Sequence, residues 1–170
     1  FVSIHANSGS ISSTSGIETF VLSRQVSDEY RTSEAVRRYT VSSNGGQASG
    51  YNERAIMAKI SRQARSNSLY LARAVHSNLV TATRDSDRGV RYKNLHVLRE
   101  DFFTPAILVE VGFLSNPETA RSFTSGEYQR RTAYGIAQGI LRYIAKTQQA
   151  GTRVASGAGQ SSGDRLAMSK

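Results

Sequence analysis

The sequence predicts an α/β fold: a mixed, mostly parallel sheet flanked by helices on both faces. Three observations carry that prediction. Short apolar runs with β-branched members, Phe1 to Ile4 and the stretch from Pro105 through Ile107, Leu108 and Val109, end in Gly/Ser/Asn-rich loops and read as buried strands. Two long segments instead repeat at helical spacing: Leu69, Ala72, Val75 and Leu79, then Ala133, Ile136, Ala137, Ile140, Leu141 and Ile144. Strand and helix patterns alternate along the chain, which fits a layered parallel sheet and excludes an all-β domain.

Bulk composition narrows the classes further. The chain has 170 residues, one-domain size with room for a sizeable core. It has no cysteine, so disulfides, thiolate metal sites and cysteine nucleophiles are excluded. No apolar run approaches the length needed to span a bilayer. The net charge is +9, from 22 basic and 13 acidic residues, and most of the basic ones are arginine. Such a balance suits a polyanionic partner, such as an acidic wall polymer, an anionic surface or nucleic acid. The charges are dispersed, and no basic stripe interleaved with aromatics appears, so nucleic acid is not the expected partner.

In chain order, the first strand delivers His5 at its end, and Gly16 to Leu22 reads as a second strand. Arg24 to Arg65 then changes texture, with eight basic and four acidic residues and a turn-rich Ser42-Ser43-Asn44-Gly45-Gly46. It reads as an insertion: a helix over Asp28 to Tyr39, a flexible link, and a helix from about Asn52 that continues into the Leu69 to Leu79 face. Asp87-Arg88-Gly89-Val90 reads as a turn, and Leu95 to Arg99 alternates as a strand. The run opening at Pro105 delivers Glu110 near its end. Asn116-Pro117-Glu118 has the N-cap, first-position proline and first-turn acid of a helix start. The last helix is expected from about Gly126 to Gln148. The domain is therefore 1–148, with the insertion at 24–65 and a flexible tail or linker at 149–170.

Four pieces in this order, Ser3-Ile4-His5-Ala6-Asn7, Gly16-Ile17-Glu18-Thr19-Phe20, Asp87-Arg88-Gly89-Val90 with Leu95 to Arg99, and Pro105 to Pro117, resemble the zinc-dependent N-acetylmuramoyl-L-alanine amidases of the amidase_3 type. The likeness runs from Phe1 to about Ala145, apart from the insertion. It implies one Zn²⁺, peptidoglycan as substrate, and hydrolysis of the amide between N-acetylmuramic acid and the L-alanine of the stem peptide. His5 matches the family's last zinc-binding histidine and Glu110 its proton-handling glutamate. These types suit the reaction: a metal polarises a poorly electrophilic amide and lowers the pKa of a bound water to about 7, and a carboxylate shuttles the proton. The family's first zinc histidine and its zinc glutamate lie upstream of the part matched here. The chain thus reads as the C-terminal part of a catalytic domain, with its N-terminal strand–helix units missing.

His76 and His96, the other two histidines, are expected to be packing or surface residues. Glu29, Glu34 and Glu53 are candidates for an acid that reaches the metal if the insertion covers the site until a protein activator moves it, as in some Gram-negative members. Arg88 and Asn94 are candidates to meet stem-peptide carboxylates. Glu18 is given no chemistry, with sheet-edge or loop hydrogen bonding expected. Ser3, Ser8 and Ser10 lack a Gly-x-Ser-x-Gly elbow, which removes a serine-hydrolase reading. The resemblance places the protein in the periplasm or outside the cell, in wall remodelling or cell separation. The alternative is a wall-binding or regulatory protein that keeps the amidase fold without its catalysis.

Overall fold

The structure, a computed structural model, describes residues 1–23, 50–99 and 103–158, with the backbone alone for 50–57 and 150–158. Four strands form one sheet in the order β1-β4-β2-β3: β1 is Val2–Asn7, β2 Ile17–Leu22, β3 Asp87–Lys93 and β4 Ile107–Phe113. The β1/β4 and β2/β3 pairs are parallel and the central β2/β4 pair is antiparallel, so the sheet is mixed and mostly parallel, as the sequence predicts. The described helices are α1 (Gly50–Thr83), α2 (Pro117–Phe123) and α3 (Gly126–Ala158), with one 3₁₀ turn at His96–Leu98.

Alternation along the central strands sorts side chains to two faces. Ile17, Val21, Ile107, Val109 and Val111 meet Leu71, Ala72, Val75 and Leu79 of α1 and Ile136 of α3 in the main core. Phe20, Ala106 and Leu108 point to the other face, where Leu98, Leu95, Val97 and Leu22 cover them. The two long helices touch along glycines. A Cβ on Gly139 would lie 2.3 Å from Val75 Cα, and one on Gly135 would lie 2.7 Å from Leu79 Cα. Such contacts bring the backbones together and close the layer over the sheet.

Several expectations need correction. Asp87 to Val90 is not a turn but the start of β3. Its turn-like chemistry makes an irregularity inside the strand: Gly89 sits at φ +88°, Asp87 Oδ1 accepts from the Gly89 N–H, and the β2/β3 register shifts between Ile17 and Thr19. Leu95 to Arg99 is not a strand. The Leu98 and Arg99 N–H groups donate to the Leu95 and His96 carbonyls, and this tight winding turns Leu95, Val97 and Leu98 toward one cluster, which alternation would forbid. The helix expected from about Asn52 does continue into the core-facing turns, as the single α1 over Gly50–Thr83. The last helix runs on to Ala158, past Gln148. The helix expected over Asp28 to Tyr39, with Glu29 and Glu34, lies outside the described residues, as does 159–170.

His76 is a packing residue, as expected. It is 5% exposed, its Nδ1 pairs with Thr19 Oγ1 at 3.1 Å and its Nε2 with Asp87 Oδ1 at 2.7 Å, tying α1 to β2 and β3. The His76 hydrogen bond holds the Asp87 carboxyl below the usual carboxylate range, with the Gly89 N–H adding to it. His96 stands exposed in the 3₁₀ turn that follows β3.

Candidate active site

Parallel pairing puts His5 opposite Glu110, and antiparallel pairing puts Glu18 opposite the same Glu110. One row across three adjacent strands therefore reads His5, Glu110, Glu18, all toward the face opposite the main core. Glu110 is the middle residue of β4 and His5 lies two residues before the end of β1, so the row sits short of the carboxyl ends of these strands, beside which open α/β sheets collect ligands. The loops there are joined: the Leu114 N–H donates to the Asn7 carbonyl at 2.7 Å and the Gly9 N–H to Ser115 Oγ at 3.0 Å.

The end of β4 is shaped by Gly112, at φ +150°. A Cβ there would stand 2.7 Å from Thr119 Cγ2 and 2.9 Å from the Phe123 ring, so only glycine lets α2 pack onto the strand two residues beyond Glu110. Asn116 then caps α2 as the sequence predicts, its side chain accepting from the Glu118 and Thr119 N–H groups.

His5 is exposed, its Nε2 hydrogen-bonded to Ser3 Oγ at 2.9 Å on the same strand. Glu110 is half-buried, and its Oε2, itself buried, has no hydrogen-bond partner among the described residues, although buried polar atoms ordinarily have one. Burial pushes the Glu110 carboxyl above the usual carboxylate range. His5 opposes that shift, the Glu18 charge adds to it, and Lys93 opposes it. A carboxyl so placed holds a proton more readily than a solvated one and can also give it up, which suits acid–base work.

Glu18 is where the sequence reading fell short. It is not at a sheet edge or in a loop but on a central strand, 5% exposed. Arg88 Nε donates to its Oε1 at 2.8 Å, and Arg91 Nη1 lies 3.4 Å from the same oxygen. Arg88 is thus turned inward, its guanidinium 5.0 Å from the Phe113 ring centroid, instead of projecting toward solvent. Asn94 is exposed just past the end of β3. The signal in the sequence is a lone acid among apolar and β-branched residues in Ile17-Glu18-Thr19-Phe20, which marks a carboxylate inside a strand; its arginine partner was hidden because Asp87 to Val90 reads as a turn.

No three His, Cys, Asp or Glu side chains among the described residues converge to hold a metal. His5 offers one imidazole donor, while Glu18 is committed to arginines. The described donor set therefore does not by itself fit a closed zinc centre, for which four-coordination is the rule. Glu53 belongs to the backbone-only turns of α1.

The sequence profile of Amidase_3, N-acetylmuramoyl-L-alanine amidase, matches residues 1–142. The chain belongs to the Amidase_3 family. Among curated relatives of this Amidase_3 chain, an uncharacterized cell wall amidase of Bacillus anthracis is 40% identical over 77 residues, 45% of this chain and 14% of that protein. The uncharacterized protein YqiI of Bacillus subtilis is 29% identical over 143 residues, 84% of this chain and 50% of its own length. Among solved structures, the catalytic domain of CwlV, an N-acetylmuramoyl-L-alanine amidase from Bacillus (Paenibacillus) polymyxa, is similar with TM-score 0.58 and 32% identity. That match covers 85% of this chain and 57% of that one. This Amidase_3 chain thus spans 14% of the Bacillus anthracis protein, 50% of YqiI and 57% of the CwlV catalytic domain.

Proposed function

We propose that this chain carries part of the active centre of a peptidoglycan hydrolase that cuts the amide between N-acetylmuramic acid and the L-alanine of the stem peptide. One observation supports it above all: His5 and Glu110 stand opposite each other on parallel strands, and the inner oxygen of Glu110 is buried without a partner among the described residues. In this reading Glu110 takes a proton from the attacking water and passes it to the leaving L-alanine nitrogen. Its burial keeps that proton on a group able to hold and release it, and strand β4 fixes its position. The reading as a catalytically silent wall-binding protein is not favoured, since curated relatives and solved neighbours carry amidase names.

The reaction is proposed to use one Zn²⁺, with His5 as one donor and the remaining donors from outside the described residues. Bound zinc would supply Lewis-acid polarisation of the scissile carbonyl. Elemental analysis after dialysis is expected to find one zinc per active protein, lost on His5→Ala while the fold persists by circular dichroism. Zinc retained in full by His5→Ala would remove His5 from the donor set. Release of new N-terminal L-alanine from purified sacculi tests the reaction itself, and its absence from the zinc-loaded protein would overturn the amidase reading.

The site of action is proposed to be the cell wall, in the periplasm or outside the cell, with a role in cell separation. No helix among the described residues is long and apolar enough to cross a membrane. The 24–65 segment is proposed as the surface on which a protein activator acts. Deleting it and finding unchanged activity on sacculi would end that proposal.

A further inference from the structure

On the face that carries Glu110, edge strand β3 presents a row of cations. Arg91 is in register with Phe20, and Lys93 with Leu22. Phe20 pairs with Leu108 two residues from Glu110, so Arg91 and Lys93 stand on the Glu110 side of the sheet. Their side chains confirm the side: Arg91 reaches Glu18 Oε1 at 3.4 Å, and Lys93 Nζ lies 5.2 Å from the Phe20 ring centroid.

Among the described residues, the cations Arg88, Arg91 and Lys93 outnumber the two carboxylates of this face, Glu18 and Glu110. Arg88 is spent inside the fold, bonded to Glu18 at 2.8 Å and packed on Phe113. Glu18 brings one negative charge and already answers Arg88. Arg91 touches that same oxygen from farther off, its Nε donates to the Arg88 carbonyl at 3.1 Å, and its side chain is 54% exposed. Most of its planar fork of donors is therefore open to solvent, in the form that recognises carboxylates two bonds at a time. Lys93, also exposed, adds a second positive charge two residues along.

Distance selects the ligand. Strand β3 is two strands from β4, about 10 Å across at ordinary sheet spacing; Arg91 also stands two residues along from the Glu110 row, an offset within the reach of its own side chain. An extended peptide covers about 3.3–3.6 Å per residue, so about 10 Å is two to three residues. We propose that Arg91 and Lys93 bind a free carboxylate of the stem peptide two to three residues beyond the scissile amide, laying the peptide across the sheet from Glu110 toward β3. Glu18 and Arg88 are positioning residues here: they hold Arg91 at the surface without touching substrate. This rests on the amidase reading for the name of the peptide, though not for the existence of the carboxylate site.

The test is calorimetric binding of a soluble, C-terminally amidated tripeptide that begins with L-alanine and whose second residue is a glutamate joined onward through its side-chain carboxyl, so that its α-carboxylate is free, beside the same peptide amidated at that α-carboxyl. The wild-type protein is expected to prefer the carboxylate form by about tenfold, and Arg91→Gln to erase that preference by weakening only that form. Lys93→Gln should reduce the preference by a smaller factor, and it serves where Arg91→Gln disturbs folding. Equal affinity of the wild type for both peptides, equal weakening of both by Arg91→Gln, or no binding at all would overturn the proposal. Release of L-alanine from sacculi is scored separately. A protein that discriminates the peptides without cleaving sacculi keeps the carboxylate site and loses the amidase reading; one that cleaves without discriminating does the reverse.

Discussion

Glu110→Gln is expected to lower kcat on sacculi by about 10³-fold, within the range that a positioned acid–base group contributes, while raising the melting temperature of the metal-free protein at neutral pH. The two effects have one cause. The inner carboxyl oxygen is buried without a partner among the described residues, and Glu18 lies opposite it, so the ionised form is disfavoured in the fold. A carboxyl whose pKa is raised on folding binds its proton more tightly in the folded state. Its stability contribution is therefore most favourable at acid pH and is lost as pH rises through the folded value. Glutamine keeps the shape and removes the charge. The gain in melting temperature should be present at pH 7–8 and should vanish near pH 4. Thermal melts at the two pH values decide it. An unchanged kcat would remove Glu110 from the chemistry, and a gain that is the same at both pH values would remove the electrostatic cause.

Gly139→Ala is expected to be the most damaging one-methyl change in the helical layer. Its Cβ would meet Val75 Cα at 2.3 Å, Val75 N at 2.7 Å and the Ala74 carbonyl at 2.8 Å, all backbone atoms. No rotamer change relieves that. The helices must part by more than 1 Å, on the order of the gap to ordinary contact, and α3 would lift from Val75 and Leu79 in the core. Overpacking costs about 3 kcal/mol at the upper end, and the better helix propensity of alanine returns about 1 kcal/mol. The net of about 2 kcal/mol should lower the melting temperature by about 4–8 °C in a chain of this size. A melting temperature that rises instead would mean that propensity wins and the backbone contact is slack.

Both residues lie in segments that the sequence places well. β1, β2 and β4 announce themselves as apolar runs ending at Gly/Ser/Asn-rich loops, and the Asn116-Pro117-Glu118 helix start is built as read. What escaped is tertiary. Asp87-Arg88-Gly89 has the composition of a turn, and only pairing with β2 makes it a strand with a local irregularity. Leu95 to Arg99 alternates, but three of its apolar side chains are wanted by one cluster, and a 3₁₀ turn supplies them all. Glu18 looks like any polar residue in a strand. Its place beside Glu110 depends on β2 running antiparallel to β4, a direction that no local pattern carries. His5 and Glu110 could be singled out because each is the ionisable residue of an apolar strand, although β1 runs on to Asn7 and Glu110 stands midway along β4 instead of at its end. Arg91 could not, because an exposed arginine on a basic chain has no distinguishing mark until its strand has a neighbour.

The order β1-β4-β2-β3 leaves His5 on a strand with a single described neighbour, whereas Glu110 has a strand on either side. The two halves of the site therefore sit on very different footings. The β1 pairing also closes a loop of about a hundred residues, and of the described strands one held by a single described neighbour across such a span is released before one paired on both sides. Amide protons of β1 should exchange with solvent well ahead of those in β4. The imidazole would then come and go by transient fraying while the carboxylate stays fixed, and any partner or ion that clasps β1 would switch the site on by suppressing an excursion, without moving the rest of the domain. Equal exchange protection in the two strands would show that no such excursion occurs.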